Sequence, residues 1–238
     1  MRYLWILLFC LVIGAAITGC GGGGSSSSSS GGGSQNGSSP FAGRFVGTFK
    51  NSGGDGGELY LKVSSTGAVT GAYVNATEST TSTVTGTIAG TGTAVLTTSG
   101  GTSTGTLTLS ASNQLTGTVT DSAAGTSVTM ALSPASGGSN PTYAGDLSGT
   151  FSNSNGDSGN LTMIVDANGN VTGLVDDTAK DQAQLLSGTI NSAGSVDISA
   201  AGDSGATTGT LTLSSSGKVT GTLNGTGGTS ITVALQLS

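Results

Sequence analysis

An internal duplication is the feature that most limits how this chain can fold. Residues 43–52 (GRFVGTFKNS) match residues 145–154 (GDLSGTFSNS), and the match continues along the chain at an offset of 102 to 104 residues. Two copies of about 90 residues are too few and too long for a solenoid, so they predict two tandem domains. We place the domains at residues 42–133 and 143–238, with a proline-flanked linker at residues 134–142 between them.

Within each copy, apolar and polar residues alternate. In residues 106–109 (TLTL) the leucines fall on one side of an extended chain and the threonines on the other. This period is typical of a β-strand with one buried face, and β-branched threonine suits the solvent face. We expect eight strands in the first copy and eight matching strands in the second. The expected strands of the first copy are residues 43–50, 58–65, 68–75, 83–89, 92–98, 103–110, 114–121 and 126–133.

The connections between these strands are short and contain Gly or Asn, as in Asn168-Gly169. Such residues allow the positive φ that tight hairpin turns need. The pattern therefore predicts an all-β protein made of two tandem eight-stranded antiparallel up-and-down meander barrels, since closure removes exposed strand edges. A pair of two-sheet β-sandwiches is the alternative.

Three segments of the second copy, residues 147–153 (LSGTFSN), 159–163 (GNLTM) and 169–173 (GNVTG), resemble the opening strands of avidin-like barrels. The resemblance implies an eight-stranded up-and-down barrel. Asn51 and Asn153 match an asparagine that contributes to ligand binding in that family. However, Phe49 and Phe151 stand where the family has tryptophan, and the later strands contain no tryptophan. We therefore expect the architecture without biotin binding.

The first twenty residues have the pattern of an export signal. Arg2 precedes an apolar run, and small residues lead to Cys20. The segment Ile17-Thr18-Gly19-Cys20 resembles the lipobox of bacterial lipoproteins, which implies cleavage after residue 19 and acylation of the Cys20 thiol, as by palmitate-type chains. An ordinary cleaved signal or a retained anchor is the alternative, but the apolar run falls short of the roughly 20 residues that span a bilayer.

Residues 20–41 then form a lipidated cysteine followed by a linker of almost pure Gly and Ser. A chain of this composition cannot offset its backbone entropy and should behave as a flexible coil with a reach of roughly 25 Å. In the lipoprotein family, Asp after the cysteine favours inner-membrane retention. Gly21 stands there, so we expect an exported protein anchored to the outer membrane, on the periplasmic face or at the cell surface.

Composition excludes several function classes. The chain has no histidine, and its two cysteines are Cys10, inside the predicted signal, and Cys20. Ser-His-Asp and Cys-His catalysis and His- or Cys-based metal sites are therefore not expected, and no other cofactor is indicated. Removal of Arg2 leaves five basic residues against twelve acidic ones, a net charge of −7. Such a charge disfavours nucleic acid and anionic lipid as partners.

A few acidic groups are candidates for a site. Residues 166–170 (DANGN) look like half a calcium loop but lack the distal Glu, so we interpret them as a hairpin turn. Asp176, Asp177 and Asp181 are weak candidates for a divalent cation. Asp55 and Asp157 recur in the same Gly-Asp-x-Gly turn, where an aspartate can hold the turn through its side chain.

No residue set indicates an enzyme. We expect an anchored, non-enzymatic lipoprotein that displays two β domains in a structural or interaction role, with a partner that the chain does not reveal. The alternative is that the barrels bind a small apolar ligand, which a cavity above roughly 300 Å³ would favour.

The lipoprotein hypothesis predicts the behaviour of Cys20→Ala. Without a thiol there is no thioether to lipid, so the variant should lose both lipid labelling and membrane fractionation. A Cys10→Ala variant is the matched control and should fractionate like the wild type. If the Cys20→Ala protein is still extracted only by detergent, the lipid anchor is not at this cysteine.

Overall fold

The computed structural model describes residues 38–140, 142–178, 180–201 and 205–238. The predicted signal peptide, Cys20 and most of the predicted Gly/Ser linker lie outside the described residues. None of the described residues forms a helix long and apolar enough to cross a bilayer.

The described chain forms sixteen β-strands and one turn of 3₁₀-helix at Thr226–Gly228. The strands of the first copy are β1 Gly43–Asn51, β2 Gly56–Val63, β3 Ala68–Asn75, β4 Thr80–Ile88, β5 Thr93–Thr98, β6 Gly101–Leu109, β7 Leu115–Asp121 and β8 Thr126–Pro134. Those of the second copy are β9 Gly145–Asn153, β10 Ser158–Val165, β11 Asn170–Asp177, β12 Gln182–Ile190, β13 Ser195–Ala200, β14 Thr207–Leu213, β15 Lys218–Asn224 and β16 Ser230–Leu237.

Each copy is a closed antiparallel barrel. Every strand pairs with the next one along the chain, β8 pairs back to β1, and β16 pairs back to β9. This arrangement confirms the predicted tandem up-and-down barrels and removes the sandwich alternative. The observed strands agree with the expected ones to within three residues at each end.

Glycines at inward-facing positions allow strands to approach closely. At Gly105, between Ser103 and Leu107 on the inner face, a Cβ atom would overlap the carbonyl oxygen of Thr118 on the next strand. The same conflict, a Cβ within 3.0 Å of a neighbouring carbonyl oxygen, occurs at six equivalent positions in the two barrels. They are Gly47 and Gly149, Gly57 and Gly159, Gly71 and Gly173, Gly86 and Gly188, Gly105 and Gly209, and Gly117 and Gly221. Glycine at such places lets a strand bend into a tightly coiled barrel.

An aromatic residue just before the first strand closes one end of each barrel. Phe41, the last residue of the predicted linker, is 6% exposed and belongs to the core of the first barrel. Tyr143 occupies the equivalent place in the second barrel, and its hydroxyl donates a hydrogen bond of 2.9 Å to the Leu211 carbonyl. Below these plugs the interior is filled mainly with leucine, isoleucine and valine, together with Phe45 in the first barrel and Met163 in the second.

The two barrels also share a third apolar cluster on their outer faces. This cluster joins three residues of the first barrel, Val46, Tyr60 and Val74, to Ile164 of the second. Ala135 and Ala144, which lie in the chain between the two barrels, complete it. Tyr60 is fully buried, and its hydroxyl donates a 2.6 Å hydrogen bond to the carbonyl of Ser238. The predicted linker at residues 134–142 contributes Ala135, which is also fully buried, to this cluster. The barrels therefore pack directly on one another.

Glu58 lies at the edge of this contact. Burial raises the pKa of its carboxyl to about 7, and the charge of Asp166 on the second barrel adds to the shift. A carboxyl whose pKa is higher in the folded than in the unfolded chain binds its proton more tightly when folded. The free energy of unfolding contributed by Glu58 is therefore largest below pH 4.5 and declines as the pH rises to about 7.

Replacement of Glu58 by Gln should remove that decline. Between pH 5 and pH 8 the wild type should lose stability relative to Glu58→Gln, as measured by urea unfolding at each pH. Asp166→Asn keeps the side-chain oxygen that accepts turn hydrogen bonds but removes the charge, so it should reduce the wild-type decline only in part. A constant difference between wild type and Glu58→Gln over this range would contradict the assignment.

Candidate functional site

The end of each barrel opposite its aromatic plug opens into a cup. The first cup, of about 270 Å³, lies inside the mouth formed by the β1–β2, β3–β4, β5–β6 and β7–β8 turns. The second cup, of about 290 Å³, lies at the same end of the second barrel. Neither cup reaches the roughly 300 Å³ that was expected of a ligand-binding barrel, so any ligand must be smaller than a drug-sized molecule.

The walls of the two cups are built from equivalent inward-facing positions. Because side chains alternate along a strand, the inner residues nearest each turn form the wall of the mouth. In the first cup these residues are Phe49, Leu59, Val84, Leu96, Val119 and Met130. Their counterparts in the second cup are Phe151, Leu161, Leu186, Ile198, Leu223 and Val233. The apolar wall is therefore kept in both copies.

An asparagine–aspartate pair stabilises the rim of each cup. The Asn51 side-chain nitrogen donates to Oδ2 of Asp55 at 2.7 Å, and the Asp55 backbone N–H donates to Oδ1 of Asn51 at 2.9 Å. Asn153 and Asp157 form the same pair at 2.9 and 3.0 Å. This confirms the turn-holding role predicted for the two aspartates. The asparagines that match the avidin-like position do line the cups, but their side chains hold this turn.

Carboxylates surround the mouth of the first cup. We call Asp55, Glu78 and Asp121 the acidic rim; all three line this cup, and no lysine or arginine does so among its described lining residues. The recorded hydrogen bonds engage one oxygen of each carboxylate. Oε2 of Glu78 accepts from the Asn75 side chain at 3.2 Å, and Oδ1 of Asp121 accepts from two backbone N–H groups of its own turn.

The second cup carries a lysine at its mouth. Lys180 stands at the position equivalent to Glu78, and its Nζ lies 2.6 Å from Oδ2 of Asp157 and 3.6 Å from Oδ2 of Asp177. The hydrogen bond from Lys180 is the main cause of the lowered pKa of the Asp157 carboxyl, and the hydrogen bond from Asn153 lowers this pKa further. The same contact with Asp157 raises the pKa of Lys180. The two mouths therefore differ in charge although their walls correspond.

The weak cation candidates do not come together. Asp176 and Asp177 are neighbours on the extended strand β11 and so point to opposite sides of the sheet. Asp181 lies in the following turn with a positive φ of 52°. Asp166 accepts hydrogen bonds from the backbone N–H groups of Asn168 and Asn170, as expected for a hairpin turn. Within the described ranges, no three His, Cys, Asp or Glu side chains group closely enough to hold a metal ion.

Sequence reasoning did not find the cups themselves. The alternation showed which residues face inward, but it did not show that the inner face stays unfilled toward one end. Tyr73 packs edge-to-face on Phe49 with ring centroids 5.4 Å apart. No motif around Tyr73 indicated that it would line a cavity. The available signal was the position of inward-facing residues close to the β1–β2, β3–β4, β5–β6 and β7–β8 turns, which also carry the acidic rim.

The chain was compared with known proteins in three ways. No family model, no curated protein and no solved structure matches it. The site must therefore be interpreted from its own geometry.

The ion pair in the second cup gives a direct prediction. In Lys180→Gln the Asp157 carboxyl loses its main stabilising partner, so its pKa should rise toward the ordinary value for aspartate. Carboxyl-carbon NMR titration measures this. Lys218→Gln, which removes a lysine at the start of β15, is the matched control and should leave the Asp157 titration unchanged. An unchanged pKa in Lys180→Gln would show that the contact is not maintained in solution.

Proposed function

We propose that the protein is a non-enzymatic, lipid-anchored binding protein that presents two barrels and takes small ligands into their cups. The observation that carries the proposal is the recurrence of a half-enclosed apolar cup, with a polar rim, at the same end of both barrels. Most of each interior is filled, so the unfilled end is a local feature of the mouth and not a general looseness of packing.

The anchoring part of the proposal rests on the sequence around Cys20. An apolar run, small residues and a cysteine at this position support export and acylation. The Gly/Ser linker would hold the barrels away from the membrane, where soluble compounds reach both mouths. The predicted outer-membrane location is part of the same proposal.

The volume of the cups limits the ligand. At roughly 30 Å³ per water molecule, each cup holds on the order of ten non-hydrogen atoms. The apolar wall favours a compact apolar body, while the carboxylate and amide groups at the rim favour a polar end that faces the mouth. About ten non-hydrogen atoms set a ceiling of about 15 kcal/mol on the binding free energy, because each atom contributes at most about 1.5 kcal/mol.

The absence of histidine and of a cysteine other than Cys20 in the predicted mature chain supports a binding role. Serine and threonine are abundant in the barrels, but activation of a hydroxyl needs a neighbouring base. Where the structure describes the chain, the ion pairs it records are those of Lys180 at the rim of the second cup. A role in binding needs no further chemistry.

A pair of cup-filling variants tests the proposal. Ser103 and Thr207 are equivalent inner-face residues of the two cups, and a tryptophan at either should occupy its cup. Saturation-transfer NMR of the mature protein with 2-phenylethanol and cyclohexanol as probes should show binding. We expect Ser103→Trp and Thr207→Trp each to reduce it, and the double variant to lower the affinity at least about tenfold, or 1.4 kcal/mol.

Thr104→Trp is the matched control for Ser103→Trp. Thr104 follows Ser103 on the same strand but faces solvent, so this variant adds the same side chain outside the cup. It should bind the probes like the wild type. Binding that survives the double variant, or no binding of either probe to the wild-type protein, would contradict ligand uptake by the cups.

A further inference from the structure

We propose that the first cup selects a small organic cation, an alkyl- or arylammonium compound with an apolar body, and that the second cup does not. This inference rests on the proposed function, because it names the ligand class of the same cavity. It starts from a comparison that the duplication makes possible: two cups with equivalent walls whose polar and aromatic groups have diverged.

The charges are the first difference. The acidic rim brings three carboxylates to the mouth of a cavity of about 270 Å³, and the described lining residues include no basic group that would neutralise them. Next to a low-dielectric apolar wall, the field of these carboxylates is stronger than it would be on an open surface. A neutral ligand would gain no Coulomb attraction from these carboxylates, and an anionic ligand would be repelled by them.

The rim carboxylates are held in place before any ligand arrives. Asp55 is fixed by Asn51, Glu78 by Asn75, and Asp121 by the backbone N–H groups of Ala123 and Ala124. The recorded hydrogen bonds use only one oxygen of each. A fixed carboxylate with a second acceptor oxygen pays little ordering entropy when it accepts a hydrogen bond from an ammonium group.

The aromatic groups are the second difference. Phe49 and Tyr73 both line the first cup and pack against each other with an interplanar angle of 69°. Aromatic rings attract cations through the negative face of their quadrupole. In the second cup Phe151 remains, but Val175 stands in place of Tyr73. The paired rings thus occur in the cup that also carries the acidic rim.

The second cup has replaced the groups that would recognise a cation. Lys180 stands in place of Glu78, and Gly225 in place of Asp121. The remaining carboxylates of Asp157 and Asp177 are engaged by the Lys180 ammonium. This cup therefore contains its own cation at the mouth, and an added ammonium compound would have to compete with it.

The test uses three probes of nearly the same shape: 2-phenylethylammonium, neutral 2-phenylethanol and anionic phenylacetate. Isothermal titration of the mature wild-type protein at low salt should show one ammonium site per chain, with the cation at least roughly tenfold tighter than the alcohol. Ser103→Trp should abolish that site and Thr207→Trp should leave it. The preference should weaken as salt is added, because the rim is partly exposed.

Charge variants separate selectivity from the cup itself. Glu78→Lys installs the residue of the second cup and should lower the ratio of ammonium affinity to 2-phenylethanol affinity at least tenfold, because it reverses a charge that only the cation requires. Glu78→Gln is the conservative variant and should produce a smaller loss. The reciprocal pair Val175→Tyr with Lys180→Glu should introduce ammonium binding into the second cup. Circular dichroism of each variant checks that the barrels remain folded.

The outcomes distinguish the two proposals. If 2-phenylethanol binds and Ser103→Trp reduces that binding, but the ammonium compound is no tighter, the cups bind ligands and the cation preference is wrong. Equal ammonium binding to both cups, or no effect of Glu78→Lys, also overturns the preference. If none of the probes binds the wild-type protein, both proposals fail.

Discussion

The close approach of neighbouring strands at inward-facing glycines is the constraint on which the rest of this structure depends. At Gly105 and at its counterpart Gly209, no side-chain carbon fits between the strand and the carbonyl oxygen opposite it. Eight strands of six to nine residues can close into a barrel only if they coil strongly, and glycine at the inner face permits that bend. Closure pairs every strand edge, so neither barrel leaves a row of open backbone groups with which another chain could pair.

The same closure creates the cups. Large side chains fill the half of each barrel that the plugs Phe41 and Tyr143 close, whereas the wall toward the opposite end is left with a cavity. The duplication then allows one site to be compared with the other inside a single molecule. The apolar walls have stayed alike, while Glu78 and Lys180 give the two mouths opposite charges at the same place. Divergence at a rim on a conserved wall is what two related ligand specificities would require.

Much of the fold could be predicted from local pattern, whereas the site could not. Alternation such as that at residues 106–109, with Gly or Asn in the intervening turns, is a short-range signal, and it located all sixteen strands. The cup depends on distances that exist only after closure. Asp55 on the β1–β2 turn and Asp121 at the end of β7 reach the same mouth because β8 pairs back to β1. The contact between the barrels was equally hidden, because Tyr60 looks like any outward-facing residue until Ile164 covers it.

That contact has a further consequence. The outer faces of β1–β3 and β9–β11 meet, so equivalent surfaces of the two copies pack on each other. In a dimer of identical subunits every interface residue must serve both sides. When both copies lie in one chain, that requirement does not hold, and the two contact faces carry different residues at equivalent positions. Tyr60 and Arg44 correspond to Thr162 and Asp146, and Ile164 corresponds to Lys62. The two copies therefore meet through unlike faces, as the subunits of a heterodimer do, and the same difference between equivalent positions is found at their two mouths.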